Sequence, residues 1–351
     1  MSATPAAPAI VSPYGESTPA LGTSVELAPG LRWMRMGLPF ALNHINLWLL
    51  QDTIDGVRGW TIVDCGIDSA PTRAAWEQIF ATQLGGLPVL RVVVTHMHPD
   101  HVGLAHWLTA RWNCLLWMSA TDYAVACMAA RGCMTIGGEP MAAHFAAHGL
   151  ADADTLAAIR QRTDYYTGLV PAMPQRFVRL QHGDMLHIGG RAWRCVVGYG
   201  HAPEHISLFC EDEALFIAGD MLLPRISTNI SVNDNEPLSN PLQQFLDSLE
   251  RFAALLPEHT LVFPSHGLPF RGALARIAQL QQHHRERLAD VMQACATPQT
   301  AAALLPVLFK RPLDIHQMTF AMGESIAHLH KLWFDGQLRR VQQDGVYHFV
   351  R

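Results

Sequence analysis

The sequence predicts a layered α/β fold. Short apolar runs rich in β-branched residues alternate with segments of helical spacing from about residue 31 to residue 118. Side chains that bind metals follow directly after several of these runs, and ligand sites of layered α/β folds gather at strand ends. With 351 residues, the chain is long enough for one large core and an accessory domain.

The first elements read as an antiparallel meander followed by a helix. Apolar runs cover 31–36, 45–50 and 60–63, and Asp55-Gly56 between the last two is a turn signal. Helical spacing over 71–84, with a proline near its start, predicts the first helix.

The segment 95–101 carries most of the functional information. It reads Thr-His-Met-His-Pro-Asp-His and follows the apolar run 89–94, which predicts a buried strand. In extended backbone, His96 and His98 point to the same side and can reach one ion. Asp100 and His101 lie at the turn into a helix predicted over 102–112, so they approach from another direction. Four such side chains are too many for one catalytic zinc, but they suit two adjacent ions that share a bridge.

Three further candidate ligands also follow apolar runs. His201, Asp220 and His266 come after the runs 193–197, 214–218 and 261–263, where strands are expected to end. His205, four residues after His201, is the alternative to His201 as a ligand.

These segments resemble the metallo-β-lactamase superfamily. The HxHxDH signature begins at His96, an Asp-x-Gly strand end lies at Asp64, and the remaining motifs follow in the family's order up to residue 266. The resemblance implies a four-layer αββα sandwich over residues 25–270. It also implies seven metal ligands: His96, His98 and His201 for one ion, Asp100, His101 and His266 for the other, and Asp220 as the bridge.

The bridge bears on the metal and the substrate. True zinc β-lactamases have a thiolate where this chain has no cysteine, so antibiotic hydrolysis is disfavoured. A carboxylate bridge accepts two hard or borderline ions, and we expect zinc, with manganese or iron as alternatives. Asp64 is expected to accept a hydrogen bond from a ligand and not to bind metal itself.

The resemblance implies hydrolysis by a hydroxide that bridges the two metals. The expected substrates are small esters, thioesters or lactones, by analogy with the aspartate bridge of glyoxalase II and a helical cover. Asp100 is the candidate catalytic residue, because it could orient the water and relay a proton. A metal-dependent endoribonuclease is the alternative. A di-iron redox protein is a third reading, although the sequence has no appended flavodoxin-like domain.

An Ala- and Met-rich stretch, about 120–174, predicts a helical insertion larger than a simple connection needs. Its position in the chain, between the motifs at residues 101 and 201, would place it over the metals. Its position is consistent with two roles, a lid over the active site or a purely structural segment.

The end of the chain predicts a winged-helix-like domain over residues 271–351. Three helices are expected, over 271–295, from an N-cap at Thr297 to residue 309, and over 314–334. A hairpin then turns at Asp344-Gly345. A similar domain occurs in the endoribonuclease branch of the superfamily. This part has a charge of +4 against −9 for the rest, yet dimerisation or covering of the active site is favoured over RNA binding.

Composition sets the remaining expectations. Residues 1–24 lack the basic start and apolar core of a signal peptide and predict a disordered tail. Seven scattered cysteines without a CxxC pair indicate a reduced, cytoplasmic setting. A net charge of −5 argues against general attraction to nucleic acid or anionic membranes. The expected partner is a small acyl substrate, with a homodimer as a further possibility.

Overall fold

Two β-sheets pack face to face in this protein, and helices cover the outer face of each. The structure is a computed structural model that describes residues 10–134 and 136–351. The first sheet follows chain order: β1 (Val25–Ala28), β2 (Leu31–Gly37), β3 (His44–Ile54), β4 (Val57–Val63), β5 (Val89–Val93), β6 (Leu115–Ser119) and β7 (Phe177–Leu180).

The second sheet has the strand order β13-β12-β11-β10-β9-β8, and a separate hairpin closes the chain. The strands of the second sheet are β8 (Met185–Ile188), β9 (Arg191–Gly198), β10 (His205–Cys210), β11 (Leu215–Gly219), β12 (Leu261–Pro264) and β13 (Phe270–Arg271). The hairpin strands are β14 (Arg339–Gln343) and β15 (Val346–Val350), joined by the predicted Asp344-Gly345 turn.

Helices connect the strands and form the end of the chain. Within the described ranges they are α1 (Ala70–Thr82), α2 (Pro99–Val102), α3 (Ala105–Trp112), α4 (Ala120–Ala130), α5 (Gly138–Ala147), α6 (Ala153–Gln161), α7 (Tyr165–Leu169), α8 (Pro241–Leu255), α9 (Ala273–Ala294), α10 (Ala301–Leu308) and α11 (Ile315–Phe334). None of these helices is both long and apolar enough to cross a membrane.

The apolar strands bury both of their faces. In β3, Trp48 and Leu50 face the core between the sheets, whereas Leu47 and Leu49 face the core under the helices. Because side chains of a strand alternate between its faces, a strand buried on both sides reads as a continuous apolar run. The predicted four-layer αββα arrangement is therefore confirmed.

The helices at the end of the chain share a core with the second sheet. Leu280 of α9, Leu304 of α10 and Ile326 of α11 are buried in the same cluster as Phe216 of β11 and Phe245 of α8. The three helices and hairpin predicted for this part are present, and their apolar faces lie against the sandwich.

Two predicted helices differ from the structure. The helix predicted over 102–112 starts only at Ala105, and the short helix α2 ends before it at Val102. Between the two helices, the Leu104 N–H donates to the Gly66 carbonyl at 3.0 Å. The helix predicted from Thr297 begins at Ala301, and Thr300 caps it. Gln299 exchanges two backbone hydrogen bonds with Phe349 of β15, which holds the preceding segment extended.

The disordered tail was predicted too long. Residues 1–9 lie outside the described residues, but Val11 forms an antiparallel bridge with Arg271 of β13. The Tyr14 hydroxyl donates to the Leu27 carbonyl at 2.9 Å. Pairing of this segment with distant parts of the chain has no signal in its own composition.

Candidate metal centre

The predicted ligands lie where strand ends of the two sheets meet. His96 and His98 follow β5, which runs parallel to β4 and β6, so the carboxyl ends of three strands share one edge. Asp220 follows β11 and His266 follows β12, and these two strands are also parallel. His201 follows β9 of the same sheet.

Three imidazoles form the first group of this centre. His96 Nε2 lies 2.8 Å from His98 Nδ1, and His201 Nε2 lies 3.1 Å from His98 Nδ1 and 3.2 Å from His96 Nε2. Nitrogen atoms that converge in this way could hold a metal ion. Imidazole is a ligand that zinc, iron and similar ions accept.

The second group combines imidazoles with a carboxylate. Asp100 Oδ2 lies 3.6 Å from His101 Nε2 and 3.4 Å from His266 Nε2. These three residues could also hold a metal ion. Asp100 and His101 both lie in the short helix α2, which begins at Pro99, after the loop that follows β5.

Asp220 lies between the two groups and presents one oxygen to each. Its Oδ2 is 3.4 Å from His201 Nε2 of the first group. Its Oδ1 is 3.5 Å from His101 Nε2 and 3.4 Å from His266 Nε2 of the second group. This is the arrangement expected of a carboxylate that bridges two ions.

Two buried atoms of the centre lack a hydrogen-bond partner among the described residues: His101 Nε2 and Asp220 Oδ1. Buried polar atoms in native proteins nearly always have a partner. A cation between a bare ring nitrogen and a carboxylate oxygen would coordinate both atoms. The donor set and the unpaired atoms therefore fit a divalent metal.

The charges differ between the groups. Burial and the neighbouring His201 together lower the pKa of His98 to about 3, so this ring of the first group is neutral at neutral pH. Burial acts against protonation of His266 too, but Asp220 and Asp100 outweigh it and raise its pKa to about 10. Burial raises the pKa of Asp100, yet His101 and His266 hold it at about 2. The carboxylates thus favour positive charge in the second group, which a divalent cation would supply.

Backbone carbonyls orient two of the rings. His201 Nδ1 lies 2.8 Å from the Asn229 carbonyl oxygen, and His266 Nδ1 lies 2.7 Å from that of His44. Since a carbonyl oxygen only accepts, each Nδ1 carries a proton, and Nε2 is the ring nitrogen that faces the centre and would bind an ion. These contacts could not be predicted from the sequence, because a backbone acceptor leaves no mark on the side-chain pattern.

Asp64 supports the centre without entering either group. Its carboxylate lies 2.8 Å from His101 Nδ1 and accepts hydrogen bonds from the Thr95 backbone N–H and hydroxyl. This geometry matches the supporting role expected of Asp64. Thr95 is an additional residue of the site, and its place next to His96 was the only sequence signal for it.

His205, the alternative to His201, lies outside both groups. Its buried ring stacks on His96 with the centroids 4.8 Å apart, and its Nε2 accepts the Asp220 N–H at 3.1 Å. A Cβ atom at Gly219 would lie 2.3 Å from that nitrogen, so this position requires glycine. His205 therefore holds the backbone of Asp220 in place, and the geometry favours His201 as the ligand.

Helices of the predicted insertion touch the loop that carries the first histidines. The Tyr166 hydroxyl of α7 donates to the Met97 carbonyl at 2.5 Å. The buried Asp122 carboxylate of α4 accepts the N–H groups of Met97 and Glu204, at 2.9 and 2.7 Å. These contacts place α4 and α7 beside the centre.

Comparison with known families decides the identity. The family model described as the Metallo-beta-lactamase superfamily matches residues 42–266. This chain belongs to the metallo-beta-lactamase superfamily. A second model, described as the Metallo-beta-lactamase-like C-terminal domain, matches residues 288–351.

Similar proteins agree with this membership. A crystal structure of a beta-lactamase domain protein from Burkholderia ambifaria is 53% identical, with a TM-score of 0.93, and the match covers 97% of this chain and 98% of that one. The probable metallo-hydrolase YqjP of Bacillus subtilis (strain 168) is 26% identical over 305 residues, 85% of this chain and 91% of the relative. This metallo-beta-lactamase superfamily member is accordingly a metallo-hydrolase.

A shorter match concerns an enzyme with a named substrate class. Hydroxyacylglutathione hydrolase of Haemophilus ducreyi (strain 35000HP / ATCC 700724) is 28% identical over 152 residues, which is 42% of this chain. The chain spans 58% of the length of that relative.

Proposed function

We propose that this metallo-hydrolase uses two metal ions to cleave a small ester, thioester or lactone. One ion is held by His96, His98 and His201, and the other by Asp100, His101 and His266. The observation that carries the proposal is Asp220, whose two oxygens face the two groups at 3.4–3.5 Å. The mixture of imidazoles and carboxylates suits zinc, with manganese or iron as alternatives.

Two ions at such a site supply Lewis-acid activation of a water molecule and of the scissile carbonyl. Asp100 is the residue placed to move the proton. The Asp100 carboxyl is ionised, because its pKa is held at about 2. Its side chain is 19% exposed. In the proposed reaction, Asp100 would orient the water and relay its proton to the leaving group.

Two observations support an acyl substrate. Three half-buried rings form one group, close enough to the centre for the charge of Asp100 to act on Tyr165 and His316: Phe40 stacks on His316 with centroids 4.9 Å apart, and the centroid of Tyr165 lies 5.6 Å from that of His316. A wall of this kind suits a compact, partly apolar substrate. The Haemophilus ducreyi relative is named for hydrolysis of an acylglutathione, which is a thioester.

The test combines metal analysis with a substrate panel of thioesters, lactones, esters and single-stranded RNA. The purified protein is expected to contain close to two transition ions per chain and to cleave members of the acyl classes. Asp220→Asn is expected to lose at least one ion and to lower kcat/KM on the order of 100-fold or more, since even partners outside the ligand set contribute 10–100-fold.

Asp212→Asn is the matched control, because Asp212 is an exposed carboxylate in the turn between β10 and β11. It is expected to keep both ions and full activity. Full activity with one ion per chain would contradict the two-ion assignment. Cleavage of RNA without cleavage of any acyl compound would overturn the proposed reaction.

A further inference from the structure

The rings of Phe40, Tyr165 and His316 form a cluster with a cation, Arg162, that has no role in the chemistry described so far. We define the Arg162 cluster as Phe40, Arg162, Tyr165, His316 and Thr319. Its members come from the loop between β2 and β3, from the α6–α7 region and from the first turns of α11. Three distant parts of the chain therefore meet at this point.

The cluster lies near the loop that carries the ligands, because Tyr166, next to Tyr165 in α7, donates its hydroxyl to the Met97 carbonyl at 2.5 Å. The charge of Asp100 contributes to raising the pKa of Tyr165, although burial is the larger cause. It also acts on His316, where burial and Arg162 lower the pKa to about 4 despite Asp314 and Asp100. His316 is therefore a neutral imidazole at neutral pH.

Arg162 is a half-buried cation held by neutral partners. Its Nη2 lies 2.7 Å from His316 Nδ1, its Nη1 donates to Thr319 Oγ1 at 3.3 Å, and its Cζ lies 3.9 Å from the centroid of the Tyr165 ring. Across the described parts of the chain, no carboxylate lies within 4.0 Å of this guanidinium, and burial lowers the pKa of Arg162 although Tyr165 and Asp314 act against it. Among the described residues, its positive charge therefore has no carboxylate partner.

The hydrogen bonds fix which atoms remain to donate. Because Arg162 donates to His316 Nδ1, the ring proton of the neutral imidazole is on Nε2. Arg162, the Tyr165 hydroxyl and His316 Nε2–H then make a set of donors beside the apolar ring of Phe40. Such a set recognises an anion attached to an apolar group.

We propose that the Arg162 cluster binds a carboxylate carried by the substrate, so that the enzyme prefers acyl compounds with a free carboxylate next to an apolar chain. This inference rests on the proposed acyl hydrolysis. A carboxylate fits better than a phosphate monoester, because a single planar guanidinium matches one planar anion of unit charge. A phosphate monoester carries closer to two negative charges.

The first experiment compares two thioesters that differ only in a terminal carboxylate or its methyl ester. Arg162→Leu is expected to raise KM for the carboxylate substrate and to lower its kcat/KM about 10–100-fold, the range of a lost hydrogen bond to a charged group. Its kcat/KM for the methyl ester is expected to stay within twofold. Arg162→Lys is expected to recover part of the loss, because the charge remains.

Arg160→Leu is the matched control. Arg160 lies two residues from Arg162 and forms a surface ion pair with Glu139, and its side chain is 44% exposed. Arg160→Leu is expected to leave kcat/KM unchanged for both substrates. Metal content is measured in all variants, since a purely structural role of Arg162 would lower metal content or affect both substrates equally. Equal losses on both substrates would overturn the carboxylate subsite.

Binding of hexanoate to the metal-loaded protein, measured by calorimetry, separates this inference from the proposed reaction. Binding that weakens about tenfold or more in Arg162→Leu and is unchanged in Arg160→Leu supports the subsite, even if no acyl compound is cleaved. If the enzyme hydrolyses acyl compounds but neither Arg162→Leu nor Arg162→Lys changes hexanoate binding, the carboxylate subsite is contradicted. The proposed reaction is then still supported. Stronger Arg162-dependent binding of phenyl phosphate than of hexanoate would overturn the carboxylate assignment.

Discussion

Asp64 shows how one residue outside the ligand groups controls the centre. Its backbone has a φ of 63°, a left-handed conformation that few residues other than glycine adopt, and its side chain is fully buried. The carboxylate accepts hydrogen bonds from Thr95 and lies 2.8 Å from His101 Nδ1. These contacts hold Asp64 in its strained backbone conformation. In that position its carboxylate orients the His101 imidazole so that Nε2 faces Asp220.

Asp64→Asn is expected to weaken metal binding by about 10–100-fold, the usual effect of removing a carboxylate that orients a metal-binding histidine. Competition with a chelator, followed by metal analysis, measures the change. Asp68→Asn is the control, because Asp68 lies four residues away and pairs with Arg73 at 2.7 Å. Equal metal retention in the two variants would show that Asp64 does not support the centre.

At the scale of elements, α10 shows how a distant strand decides where a helix begins. Thr297 followed by proline has the pattern of a helix start, but Gln299 is tied to Phe349 by two backbone hydrogen bonds. The helix starts only after this bridge, where the Thr300 side chain accepts the Ala303 N–H at 3.2 Å. Long-range pairing therefore outweighs a local capping signal.

Replacing the two threonines in turn tests this helix start. Thr300→Ala is expected to lower the free energy of unfolding by about 1 kcal/mol, because it removes a helix cap. Thr297→Ala should have an effect within about 0.5 kcal/mol, as for surface substitutions away from such features. Urea unfolding of both variants measures the difference, and a larger loss for Thr297→Ala would restore the earlier helix start.

At the scale of the whole molecule, α11 connects two separate regions. His316 near its start belongs to the Arg162 cluster, whereas Trp333 near its end packs under Arg340 of the hairpin, 3.9 Å from the guanidinium. The 17 intervening steps of 1.5 Å span about 25 Å. The hairpin therefore lies far from the metals along the axis of this helix.

Changing Arg339 and Arg340 to Ala together is expected to leave acyl hydrolysis within about twofold, because the hairpin is about 25 Å from the site along α11. Arg339→Ala alone is the control, since Arg339 is exposed and its loss disturbs no packing, whereas Arg340 lies on two aromatic rings. RNA affinity that falls with salt and vanishes in the double variant would instead support the endoribonuclease alternative.

The sequence by itself determined the strands and the order of the candidate ligands. His96, His98, Asp100 and His101 lie within six positions, so local chain direction and the alternation of a strand suffice to group them. His201, Asp220 and His266 could be placed because each follows a strand, and strand ends meet at one edge of a sheet. These are properties of short segments, which a sequence carries directly.

The tertiary structure alone decided which residues surround this centre. Arg162 and His316 are 154 positions apart, and neither lies in a motif, so only the packing of α11 against the insertion brings them together. Packing also distinguishes His201 from His205, since His205 Nε2 accepts the Asp220 N–H. Contacts of this kind depend on how distant elements meet in space, and one-dimensional spacing holds no record of that geometry.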